Sequence, residues 1–246
     1  MSKTVTHKNN IPYFGDKNLL EVAQKNSFSD MIFELLSENK PSPSESKVFE
    51  LVLNISIDHG NETPSAVEVI KNANADKSIS ESVSAGILQI NNIHGGAIEP
   101  AMELYYKIEK NNLSIKDLVD EFMKKGERIS GFGHRIYEND PRAELIFKIA
   151  KEESINDKFI KIAEKISEEL SLIKNKKIPV NIDGAIAAIL CSFGWNSNIG
   201  KSVFIIARTP GLCGQYLNET KTKWLFLLVV VSTCFILDIL SFWKKP

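Results

Sequence analysis

The sequence predicts an all-α protein, on three observations. Apolar residues recur at helical spacing along most of the chain, polar capping residues precede many of those runs, and no convincing stretch alternates between apolar and polar as a half-buried strand does. The clearest segment holds Ile115, Leu118, Val119, Phe122 and Met123, which share one helical face that has to be buried. Ser114, with Asp117 three residues on, is its N-cap, since the hydroxyl can accept from a first-turn N–H that has no partner inside the helix. Ile155, Phe159, Ile162, Ala163, Ile166 and Leu170 repeat the pattern, with charged residues on the opposite face. Asp140-Pro141 reads as an N-cap followed by proline at the first helical position, starting a helix through Ala143, Leu145, Ile146 and Ile149. Arg142 thereby enters a first turn beside His134.

Further helices are expected over 18–24, 29–37, 44–57, 65–72, 80–90, 97–110, 184–193 and 201–217. Pro41-Ser42-Pro43-Ser44 is a short loop ahead of one of them, and no internal repeat or low-complexity linker divides the chain. The 246 residues allow one large domain or two small ones. With 30 basic against 31 acidic residues there is no global field to favour nucleic acid, so an anionic ligand has to be held by local groups. Cys191, Cys213 and Cys234 lack the paired spacing of a zinc site, and three thiols cannot all pair within one chain, which fits a reducing compartment. Residues 1–10 are polar and carry no apolar core of signal-peptide length. A cytoplasmic location is the resulting expectation.

Several short segments carry the chemistry. Gly131-Phe132-Gly133-His134 sets an imidazole, which titrates near neutral pH, behind two conformationally permissive residues that let backbone approach a ligand. Alone, such a histidine fits a structural role equally well. Asp183 follows an apolar Ile-Pro-Val stretch and precedes Gly184, so it is either a desolvated carboxylate with a raised pKa or the N-cap of the helix over 184–193. His94-Gly95-Gly96 and Ile57-Asp58-His59-Gly60 could be polar helix ends, and Ala207-Arg208-Thr209-Pro210-Gly211 an ordinary exposed arginine.

Taken in order, these segments resemble the active site of the citrate synthase superfamily, over about residues 28–217. The resemblance implies a large and a small helical domain with the site in the cleft between them: large-domain residues 1–96 and 195–219, small-domain residues 97–194, and an atypical tail over 220–246. It implies that His94 hydrogen-bonds the thioester oxygen while the acetyl group becomes an enol, that His134 exchanges a proton with the substrate oxygen, and that Asp183 moves the methyl proton. Gly131, Phe132 and Gly133 would contact CoA through backbone, while His59, Arg142 and Arg208 would hold the carboxylates of oxaloacetate or its citryl adduct. Arginine suits that task because it can make two parallel charge-assisted bonds.

Within the superfamily the chain is more similar to the citryl-CoA lyases, including the lyase portion of ATP-citrate lyase, than to citrate synthases. Ile98 stands where synthases usually carry asparagine, Gly184 where they usually have an aromatic residue, and fewer N-terminal helices precede His59. The expected activity is cleavage of citryl-CoA to acetyl-CoA and oxaloacetate, with no metal or redox cofactor, by a homodimer that a separate citrate-activating partner would supply. Citrate synthase is the alternative. An inactive, membrane-tethered binding protein is a third reading, prompted by the segment from Trp224 to Trp243. It is mostly apolar, has tryptophan at both ends and is flanked by lysines, and about 20 such residues match a bilayer. That segment is read as a membrane anchor, a buried dimer helix or an aberrant end of the reading frame. No arginine follows Arg208, although synthases place there a further carboxylate-binding arginine that completes the neighbouring subunit's site.

Overall fold

The computed structural model describes residues 4–91 and 95–242, with side chains through Lys223. Eleven α-helices dominate the described residues: α1 (Leu19–Lys25), α2 (Phe28–Ser37), α3 (Pro43–Ile55), α4 (Pro64–Asn74), α5 (Ile79–Leu88), α6 (Ile98–Asn111), α7 (Ile115–Lys125), α8 (Pro141–Glu152), α9 (Lys158–Lys174), α10 (Ile182–Ser192) and α11 (Gly200–Phe242). The all-α expectation holds for the body of the chain. Local chemistry sets many of the starts. Ser42 and Ser78 each form a reciprocal capping box with the glutamate three residues on. Ser114 accepts from the Asp117 N–H as its spacing predicts, and Asp140 accepts from the Arg142 N–H just past Pro141.

The sequence reading missed a small antiparallel sheet of β1 (Val5–Lys8), β2 (Ile11–Phe14) and β3 (Lys17–Asn18). Asn9 and Asn10, with φ of 51° and 62°, make the two-residue left-handed turn that joins β1 to β2. The signal was present in that Asn-Asn pair. Proline within β2 and the shortness of the strands concealed it.

The chain divides into two compact units. The first comprises Met1–Ser56 and Asn91–Ala207. Its centre is α10, whose residues from Gly184 through Cys191 are all buried, and which packs against α6, α8 and α9. A helix that is apolar all round belongs in a core, and each fully buried isoleucine or leucine here, such as Ile186, Ile189 and Leu190, contributes about 1.5–3 kcal/mol. An aromatic cluster closes the same unit, with the Phe33 ring 4.8 Å from Trp195 and 5.4 Å from Phe49. The amphipathic α7 and α9 bury the faces their sequences predict, including Leu118, Val119, Ile166 and Leu170.

The second unit comprises Ile57–Ile90 and Arg208–Pro246. Its core is Ala66, Val69, Val83 and Leu212. The hairpin of α4 and α5 closes tightly because Gly86 has no side chain: a Cβ there would lie 2.5 Å from Val69 Cγ2 and 2.8 Å from the Ser65 carbonyl oxygen. Gly211 likewise lets α11 lie against the Ile57 carbonyl, 2.0 Å from where its Cβ would be. The helix expected over 201–217 runs on to Phe242, because neither glycine nor proline occurs between Gly214 and Pro246 to stop it. The apolar segment from Trp224 to Trp243, which prompted the membrane reading, lies outside the residues whose side chains are described. Among the described residues no helix is long and apolar enough to cross a membrane.

Candidate active site

The His134 loop is held by backbone pairing that its glycines permit. Phe132 forms an isolated antiparallel bridge with Val180, the Gly133 N–H donates to the Pro179 carbonyl at 2.8 Å, and the Asn181 N–H donates to the Gly131 carbonyl at 3.0 Å. Gly131 and Gly133 have φ of 89° and 81°, values side chains disfavour. Gly131 also meets Gly184 of α10: a Cβ on Gly184 would lie 2.3 Å from the Gly131 oxygen, and one on Gly131 would lie 2.7 Å from the Gly184 Cα. The absence of an aromatic residue after Asp183 thus has a packing reason, since the Gly131 backbone fills that place.

Within this loop the imidazole of His134 is oriented from both sides. Its Nδ1 accepts from the backbone N–H groups of Ile136 and Tyr137, at 3.1 and 3.2 Å. Its Nε2 lies 3.3 Å from Arg142 Nη2. The Tyr137 ring stacks on the imidazole, centroids 4.5 Å apart and planes 27° apart. Burial lowers the His134 pKa; the Asp140 carboxylate pulls it up and the Arg142 charge down, and the net shift is downward. The ring is accordingly neutral at pH 7.

Arg142 leans on Asp140 rather than standing alone. Its Nε donates to Oδ1 at 2.9 Å and its Nη2 to Oδ2 at 2.8 Å, a bidentate pair whose carboxylate is fully buried. Burial alone would raise the Asp140 pKa, but the Arg142 hydrogen bonds and charge outweigh it and hold the carboxyl below the usual range. The same carboxylate accepts from the Arg142 N–H at 3.1 Å and, through Oδ2, from the Ile182 N–H at 3.1 Å. Asp140 therefore joins the start of α8 to the start of α10. The sequence showed only its capping role, because the Ile182 contact spans 42 residues.

Asp183 rides in the first turn of α10. The capping alternative fails, because the helix begins at Ile182 and Asn181 is the cap, its side chain accepting from the Asp183 and Gly184 N–H groups. The carboxylate is half-buried at the end of the most buried helix in the unit. Phe132 meets Tyr105 edge-on at 6.5 Å, and the Tyr105 hydroxyl donates to the Gly184 carbonyl at 3.3 Å. Gly131, Phe132, Gly133, His134, Arg142 and Asp183 are thus gathered in the first unit.

The second unit carries His59 and Arg208. His59 is exposed, and Gly60 beside it has a φ of 82°. The neighbouring Asp58 is fixed by the Gly60 N–H at 3.2 Å and the Gln215 amide at 3.0 Å. Arg208 is buried, with 3% of its surface exposed. His94 lies outside the described residues. Ile98 is fully buried, with its Cγ2 2.7 Å from where a Cβ on Gly200 would stand, so this departure from the synthase pattern is a core contact. Asn181 and Tyr137 are the neighbours that sequence reading left without a role; a polar residue two before Asp183 and an aromatic three after His134 were the only signals.

The family described as "Citrate synthase, C-terminal domain" matches residues 4–226. The structure of citryl-CoA lyase from Hydrogenobacter thermophilus is 34% identical, with a TM-score of 0.85 over 90% of this chain and 87% of that one. An ATP citrate lyase from Methanosaeta concilii, solved in complex with citryl-CoA, shares the fold at 22% identity and a TM-score of 0.83, over 91% of this chain and 39% of that one. A probable ATP-citrate synthase of Dictyostelium discoideum is 29% identical across 80% of this chain, which spans 34% of that protein's length. The family match extends over nearly all the elements that build the loop, the arginine pair and the central helix, and the chain belongs to the citrate synthase family.

Proposed function

We propose that this protein is a citryl-CoA lyase, cleaving citryl-CoA to acetyl-CoA and oxaloacetate. The observation that carries the reading is the first unit's arrangement, in which the His134 loop is knitted by backbone bonds to the stretch leading into Asp183. The 34% identity to a citryl-CoA lyase over most of both chains supports it.

In cleavage, His134 takes the citryl hydroxyl proton as the carbon–carbon bond breaks, giving the oxaloacetate carbonyl and the enol form of acetyl-CoA. His94 donates to the enol oxygen, and Asp183 delivers a proton to the terminal carbon to give the methyl group. Arg142, His59 and Arg208 hold carboxylates, and the Gly131–Gly133 backbone contacts CoA. We further propose large and small domains at the boundaries given above, a homodimer, a cytoplasmic location, a citrate-activating partner upstream, and no resident metal or redox cofactor. Membrane contact through residues 224–243 is a separate proposal on hydropathy alone.

One observation favours citrate synthase as a second reading. The residue types assigned to the carbon–carbon step, at His94, His134 and Asp183, serve condensation as well as cleavage, since each reaction runs the other's proton transfers backward. The two readings part at the thioester, because only the synthase adds water and releases free thiol. The purified protein is given citryl-CoA, with oxaloacetate followed by reduction to malate, and separately acetyl-CoA plus oxaloacetate, with thiol release followed by a disulfide dye. Oxaloacetate without free thiol is the expected result. Thiol release from the second pair at a rate matching or exceeding cleavage would replace lyase with synthase.

A further inference from the structure

We propose that Asn181 is a positioning residue whose planar amide ties the His134 loop to the helix bearing Asp183 and so fixes the spacing of the two proton-transfer groups. The inference rests on the lyase reading above for its chemistry and on the geometry for the tie itself.

The amide is used on both ends. Oδ1 accepts from the Asp183 N–H at 3.0 Å and the Gly184 N–H at 3.1 Å, while Nδ2 donates to the Gly133 carbonyl at 3.0 Å. Turning the amide over would set its NH2 against two donors and its oxygen against a carbonyl, so the orientation is fixed by its partners. The Gly133 carbonyl belongs to the same peptide plane as the His134 nitrogen. One rigid group therefore stands between the peptide that carries the imidazole and the peptide that carries the carboxylate. The Asn181 backbone N–H adds a second link, donating to the Gly131 carbonyl at 3.0 Å. An N-cap alone needs only the oxygen, and serine and aspartate serve that role as well as asparagine. Only the amide supplies a donor to the loop on the other side.

That asymmetry separates the two roles. Asn181→Ser and Asn181→Asp both keep a capping oxygen and lose the donor to Gly133; serine does so without adding charge. The expected result is a melting temperature and α10 amide exchange close to wild type, with amide exchange in residues 133–137 faster by about threefold to tenfold, the range for one lost neutral hydrogen bond. Turnover of citryl-CoA should fall by about tenfold or more with KM changed by less than about threefold, since reacting groups moved out of register lose rate before binding. Unchanged loop exchange in both variants overturns the tie. Faster loop exchange with wild-type turnover overturns the positioning role. If the wild-type protein cleaves no citryl-CoA, the functional reading fails by itself and the tie is judged on exchange alone.

Discussion

Replacing Asp140 by asparagine keeps the shape of the side chain and removes its charge. The carboxylate receives four donors: the Arg142 backbone N–H and Nε at one oxygen, and Arg142 Nη2 and the Ile182 N–H at the other. Asparagine has one carbonyl oxygen, so whichever way it turns, two of those donors face its NH2 instead of an acceptor. Bonds to a charged group are worth about 1.5–3 kcal/mol each, which puts the loss at about 3–6 kcal/mol. The cost of breaking a buried ion pair, about 3–5 kcal/mol, agrees. Little discount for solvent applies, since the Asp140 side chain is fully buried and the Arg142 side chain is 14% exposed. Urea unfolding at pH 7, followed by far-ultraviolet circular dichroism, should therefore show a midpoint lowered by about 1.5–3 M for a slope near 2 kcal/mol per M. The sign with pH also follows. Because the folded Asp140 pKa is depressed, its contribution is present above the unfolded value of about 3.9 and is lost as pH falls through the folded value, a component the variant lacks. A loss under about 1 kcal/mol would refute the view that Asp140 is the junction between α8 and α10.

Three further outcomes test the site. Asp183→Asn should abolish turnover while leaving CoA affinity within a few fold, because the amide keeps the shape and cannot transfer a proton; near-normal rates would remove Asp183 from the mechanism. Gly184→Ala, a change that ordinarily favours a helix, should keep the protein folded and yet cut the rate by about a hundredfold, since its Cβ forces the Gly131 carbonyl away and moves the His134 loop by about 1 Å; wild-type kinetics would mean the loop yields without consequence. His134, whose pKa burial lowers, should titrate below the ordinary value of about 6.5, so the neutral ring and any activity that needs it persist to more acidic pH. A proton-resonance titration placing its midpoint above that value would reverse the assignment.

The sequence by itself determined the helices and singled out the candidate reacting groups. Local signals suffice for both: Ser114 and Asp140 declare helix starts, the spacing of Ile115, Leu118, Val119 and Phe122 declares a buried face, and a histidine between glycines and an arginine keeps its chemistry wherever it lies. Reading the ends of α10 and α11 was harder. Asn181 displaced Asp183 as the cap because its side chain is aimed by a bond to Gly133, 48 residues away, and α11 ran on because nothing in its sequence stops it. Only the tertiary structure decided what surrounds these candidate groups. Tyr137 against His134, Asp140 under both Arg142 and Ile182, and the Gly131–Gly184 approach are contacts made after the chain has packed, and no local pattern encodes them. A hydrogen bond or a close glycine contact between distant residues depends on where the intervening helices bring two backbones, and the buried α10 fixes that here.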